Sequence, residues 1–122
     1  MEWIIADDRP IWLQLYEQLT LRIVTGYYAM GEKMPTVREL AAEAGVNPNT
    51  MQRALAELET DGLAESNRTA GRLVTTDAAA VERVRSRMAG KCIDDFYEGM
   101  GQLGYDHAAA RKKLEEETED GE

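Results

Sequence analysis

Cysteine and histidine each occur once in these 122 residues, at positions 92 and 107. One cysteine permits no intrachain disulfide and suits a reducing cytoplasm. One Cys and one His form no ligand cluster, so no metal is expected. Cys92 reads as a small, buried apolar residue and His107 as an exposed helix residue. No Gly-rich phosphate loop and no Ser/His/Asp arrangement is present, so neither an enzyme nor a bound cofactor is expected. No apolar run is long enough to span a bilayer, and the acidic opening "MEWIIADDRP" predicts no signal peptide. Bases are also scarce: 14 Lys and Arg stand against 23 Asp and Glu, a net charge of −9. Residues 1–75 hold 7 bases and 11 acids, and residues 76–122 hold 7 and 12. Duplex binding draws on Lys and Arg to displace counterions. A nucleic-acid function therefore requires the bases to gather on one face.

Hydrophobic periodicity predicts three helices followed by a hairpin. In residues 10–26, Trp12, Leu15, Tyr16, Leu19 and Ile23 form a helical stripe between Pro10 and Gly26. Thr36 with Glu39 three residues on predicts a capping box at the start of a second helix, which Gly45 closes. Asn47 caps a third helix over 48–60, with Pro48 in its first turn and Met51, Ala54, Leu55 and Leu58 facing inward. Two strand-like ends, 63–66 and 72–75, flank the turn residues Asn67, Thr69 and Gly71. The fold class is mainly α with a small β-hairpin: a winged helix-turn-helix followed by a two-helix C-terminal dimerisation segment.

From Ala78 the helical period resumes. Val81, Val84, Met88, Cys92, Phe96, Met100 and Leu103 recur at spacings of three and four. One helix cannot cover this stripe, and a second copy of the chain is the simplest cover, giving a homodimer. Gly104 stops the helix and Asp106 can cap the next one. The expected organisation is residues 1–76 as a DNA-binding domain, 77–118 as a dimerisation segment and 119–122 as an acidic disordered tail. Two helices leave no room for a deep effector pocket within one copy.

The second helix of a helix-turn-helix enters the major groove and reads base edges, so its first turns must donate and accept hydrogen bonds without carrying negative charge. Asn49, Thr50, Gln52 and Arg53 satisfy this, and no acid interrupts them. Free N–H groups at that helix start would also suit a phosphate oxygen. Arg38 lies early on the preceding helix, and Arg68 and Arg72 flank the hairpin tip. Four of the 7 bases in residues 1–75 thus fall on contact elements, while Glu43, Glu57, Glu59 and Asp61 fall toward helix ends or outer faces. "MGEKMPT" reads as a loop in which Pro35 sets the helix entry. A winged helix that binds a protein and never DNA is the other reading of the same face.

"PIWLQLYEQL", "GEKMPTVRELA", "GVNPNTMQRAL", "ELETDGL" and a Gly-bearing wing follow one another in order. Over residues 10–74 this resembles the N-terminal DNA-binding domain of GntR-family bacterial transcription regulators. "VNPNT" with "QRA" and the short tail look most like the YtrA-type subfamily, in which the tail dimerises the protein. The resemblance implies DNA contacts at Arg38, Asn49, Thr50, Gln52 and Arg53, and in the wing at Arg68 and Gly71. It also implies a dimeric repressor on a palindromic operator, controlling a nearby membrane-transporter operon. The wing departs from the family: in "RTAGRLV", Thr69 and Ala70 occupy the usual Gly and basic positions, and Arg72 replaces Thr.

Overall fold

The computed structural model describes residues 1–120, which divide into two compact units, 1–85 and from 86 onward. In chain order the elements are α1 (Ile11–Val24), α2 (Val37–Ala44), α3 (Pro48–Thr60), β1 (Ala64–Asn67), β2 (Gly71–Val74), α4 (Ala78–Gln102) and α5 (His107–Asp120). This is the expected winged helix-turn-helix with two helices after it. Each strand sits one residue from its expected position, since the Asn67 turn occupies only the residues between β1 and Gly71.

In the first unit, Leu15, Leu19 and Ile23 of α1 meet Met51, Leu55 and Leu58 of α3, all of them buried. Leu40 and Ala41 of α2 complete the wall. Burying each large apolar side chain contributes roughly 1.5–3 kcal/mol. Tyr16 donates its hydroxyl to Asp61 at the end of α3, tying the two helices at a second level. The residues before α1 lie along it and are held by two glutamines one turn apart. Gln14 accepts from the Ala6 N–H and donates to its carbonyl (2.7 and 2.8 Å). Gln18 treats Ile4 in the same way (3.0 and 2.5 Å). Arg22, almost fully buried, lies over the Trp3 ring at 3.9 Å and donates to the Tyr28 hydroxyl and the Met1 carbonyl.

The hairpin pairs Ala64 with Val74 and Ser66 with Arg72 in antiparallel register. Residues 32–34, expected from the sequence to be loop, run extended beside β2 and form an isolated β-bridge to it. Lys33 bridges Leu73, the Met34 N–H donates to the Arg72 carbonyl, and the Val74 N–H donates to that of Glu32 (both 2.9 Å). Met34 is buried and anchors the segment.

In the second unit, Asp106 caps α5 by accepting from the Ala109 N–H at 2.8 Å. The Tyr97 ring stacks on His107 with centroids 4.1 Å apart. His107 is exposed, as expected. Cys92 is exposed as well, which corrects its reading as a buried residue. Its neighbours Ile93, Phe96, Tyr97 and Leu114 line an open apolar hollow of about 350 Å³, so among the described residues α5 covers that side of α4 only in part. The α5 helix reaches Asp120, two residues into the segment read as a disordered tail, and residues 121–122 lie outside those described. The pair Lys113–Glu117, one turn apart at 3.0 Å, is the kind that supports an exposed helix end. No helix among the described residues is long and apolar enough to cross a membrane.

Candidate nucleic-acid interface

The turn between α2 and α3 is built from its caps. Thr36 accepts from the Glu39 N–H (3.2 Å) while the Glu39 carboxylate accepts from the Thr36 N–H (2.9 Å), fixing the start of α2. The bond from the Thr36 N–H foremost, and then the Thr36 hydroxyl beside the carboxylate, hold the Glu39 carboxyl below its usual value, and the nearby Lys33 charge adds to the effect. Gly45 ends α2 at φ 70°, a left-handed conformation that favours glycine. The chain turns through Val46 into Asn47, whose side chain accepts from the Asn49 N–H at 2.7 Å.

This geometry corrects one expectation. The Asn49 N–H is taken by the Asn47 side chain, and those of Thr50 and Met51 by the Asn47 carbonyl. Pro48 has no N–H to offer. The start of α3 therefore holds no free donor for a phosphate oxygen, because the cap that fixes the turn consumes the donors.

The side chains of α3 remain. Asn49, Gln52 and Arg53 are exposed and Thr50 half-buried, opposite the buried Met51, Ala54, Leu55 and Leu58. Its first turn holds no acid. Arg53 lies flat over the Trp12 ring of α1, 4.0 Å from the centroid. Arg38 is exposed on the first turn of α2. Three acids of this region are engaged by other groups: Glu43 accepts from Trp3 at 3.5 Å, Asp61 from Tyr16, and Glu59 from Ser66 at 2.5 Å, while Glu57 stands half-buried one turn after Arg53. A patch of amide, hydroxyl and guanidinium groups is left, which suits base edges and phosphates.

The wing is less uniform. Asn67 folds its tip by accepting from the N–H groups of Thr69 and Ala70 (2.9 and 3.0 Å), and Arg68 is exposed there. Gly71 turns at φ +85°. Arg72, grouped with these by sequence, points into the body of the unit: its Nε lies 3.5 Å from Glu59, and its side chain is only 12% exposed. Two residues near this face escaped the sequence reading. Periodicity places Trp12 on the apolar stripe of α1, and Lys33 falls in the segment "MGEKMPT", whose composition predicts a loop. No local pattern marks residue 33 as paired, because its partner Leu73 lies forty residues further along the chain.

Residues 12–74 match the family model described as bacterial regulatory proteins, gntR family. The HTH-type transcriptional regulator YhcF of Bacillus subtilis is 32% identical over 94% of this chain and 95% of its own. The HTH-type transcriptional repressor YtrA of the same organism is 31% identical over 77% of each. Among solved structures, a GntR-family transcriptional regulator from Listeria monocytogenes superposes with a TM-score of 0.82 at 33% identity, covering 92% of this chain and 98% of its own. The DNA-binding domain of AraR in complex with operator ORE1 is similar at a TM-score of 0.53 and 26% identity, over 62% of this chain and 94% of its own. The matched segment contains the turn, α3 and the wing together, and the chain belongs to the GntR family of bacterial regulatory proteins, in its YtrA-type branch, as a DNA-binding transcription regulator and not an enzyme.

Proposed function

We propose that the chain is a homodimeric repressor that binds a palindromic operator in the cytoplasm. In this reading Asn49, Thr50, Gln52 and Arg53 meet the major groove, Arg38 meets backbone or groove, and the wing approaches through Arg68 and Gly71. Arg72 keeps its tie to Glu59 and steadies the wing rather than reaching DNA. The observation that carries this is the polar start of α3, free of acids through Arg53, with Glu43, Asp61 and Glu59 nearby engaged by other side chains. It answers the objection of net charge, because a contact face needs local bases and donors and not a basic chain.

The repressor sense follows what YtrA is named for, and control of a membrane-transporter operon follows the family resemblance. Residues 1–85, the first compact unit, are the DNA-binding part, and the remainder of α4 with α5, through residue 118, pairs two copies. Support for pairing comes from the apolar side of α4, where Met88, Phe96 and Met100 are half-buried, and Cys92 and Leu103 exposed. Val81 and Val84, at the start of the same stripe, belong to the first unit, and Val84 is already buried in the single chain. Two recognition helices related by a dyad would read half-sites about 34–36 Å apart or a multiple of that.

The test is selection of bound duplexes from a random pool by the full-length protein, followed by footprinting. An inverted repeat protected on both halves is expected. No enrichment, with no binding to any duplex at low salt, would leave the winged helix as a protein-binding module.

A further inference from the structure

We propose that Lys33 is a phosphate-contacting residue of the wing, supplying from the neighbouring segment the charge that Arg72 is held away from delivering. The proposal rests on the DNA-binding reading above and adds a contact to it.

The wing itself is short of charge. Thr69 and Ala70 at its tip carry no charge, and Arg72 is drawn toward Glu59 with its side chain largely buried. Arg68 is then the exposed base of the hairpin itself. Lys33 stands opposite Leu73 on the extended segment beside β2, with a backbone hydrogen bond on either side. Gly71, two residues before Leu73, shares that face of the strand. Having no side chain, it lets the lysine lie across it: a Cβ at position 71 would stand 3.1 Å from Lys33 Cε and 3.9 Å from Nζ. Gly71 is thus required twice, by its left-handed φ and by the stem of Lys33.

Among the described residues no carboxylate lies within ion-pair distance of the Lys33 amine. The acid whose charge it feels, Glu39, is bonded to Thr36. An exposed ammonium on a fixed backbone, next to the wing turn, has three donors to offer and no preference among bases. A phosphate is the partner this chemistry fits, and such a contact positions the protein without reading sequence.

The experiment uses full-length protein and two labelled duplexes, one selected from a random pool by the wild-type chain and one of scrambled sequence. Affinity is followed by fluorescence anisotropy over a series of salt concentrations. Lys33→Gln is expected to weaken both duplexes by the same factor and to make the salt slope shallower by about 0.9, one phosphate contact. Lys33→Arg should restore the slope, and Lys112→Gln, which removes an exposed charge from α5, should leave it unchanged. A Lys33→Gln protein with wild-type melting temperature and wild-type slope overturns the proposal while leaving DNA binding intact. So does a loss confined to the selected duplex. A wild-type protein that binds neither duplex at low salt removes the DNA-binding reading, and this contact with it.

Discussion

The Arg53 guanidinium lies on the indole face of Trp12, joining the exposed side of α3 to the first turn of α1. Among the described residues Arg53 makes no ion pair, so this stack is what orients it. A guanidinium reads guanine with two parallel N–H groups, and a ring beneath it limits the planes it can adopt. In the proposed reading Trp12 therefore orients a readout residue, although it sits outside the helix-turn-helix.

Replacing Trp12 by Ala should cost about 0.5–1 kcal/mol of operator affinity, the usual worth of an exposed cation–π contact. Arg53→Ala should cost about 1–3 kcal/mol and relax preference at one position in each half-site. With Arg53 already Ala, the Trp12 change should add nothing at that position, and Trp12→Tyr should retain most of the discrimination. Anisotropy titrations with base-substituted operators measure this cycle. Equal and additive losses would mean that Trp12 acts on stability alone.

Glu59 latches the wing to α3 by meeting Ser66 of β1 and Arg72 of β2, which face each other in the hairpin register. Arg72 Nε makes no hydrogen bond of its own, so it leans on the charge of Glu59. Glu59→Ala should lower stability by about 1–3 kcal/mol, since it strands a half-buried guanidinium. Arg72→Met, which removes the charge and keeps the stem, should cost less than Glu59→Ala. Thermal melts of the two variants decide the order.

The helices were legible in the sequence because their ends were written locally: Thr36 with Glu39, Gly45, Asn47 with Pro48, and Gly104 with Asp106 all act where their residue types suggest. What was not legible depends on partners distant in sequence. Arg72 looked like a wing base because nothing near it announces Glu59, thirteen residues earlier and one helix away. Lys33 looked like loop because its pairing exists only through β2, some forty residues later. Cys92 looked buried because periodicity gives a stripe its face and says nothing of what covers it.

The capping box makes α2 sensitive to acid. The Glu39 carboxyl titrates below its ordinary value of 4.5, chiefly because it accepts the Thr36 N–H. A carboxyl depressed in the folded state lends stability above its unfolded value, and that stability is lost as pH falls through the folded one. The gap in melting temperature between wild type and Glu39→Ala should therefore be full at neutral pH and shrink once pH drops below about 4.5. Melts across an acid series test the sign. A gap that widens on acidification would show that the carboxylate is not what holds the cap.

The burial of the first turns of α4 decides where the chain can be cut. Ala80 and Val84 are 3% and 2% exposed, and the first compact unit runs through Arg85, so α4 begins inside the DNA-binding unit. A chain ending at Arg85 should fold and remain monomeric. One ending at Thr76 should be less stable by roughly 1.5–3 kcal/mol for the loss of Val84 alone. The side of α4 bearing Met88, Phe96, Met100 and Leu103, with the apolar hollow beside Cys92, is absent from both. Full-length protein should sediment as a dimer, and Phe96→Glu should shift it to monomer, because a charge placed in an apolar interface must be desolvated without a partner. Monomers should bind one half-site weakly, losing orders of magnitude on a palindromic duplex while keeping their preference within each half. Sedimentation of the two truncated chains and of Phe96→Glu, beside anisotropy on whole and half operators, separates the possibilities. A full-length monomer, or a chain ending at Arg85 that still pairs, would place the dimer contact on another surface.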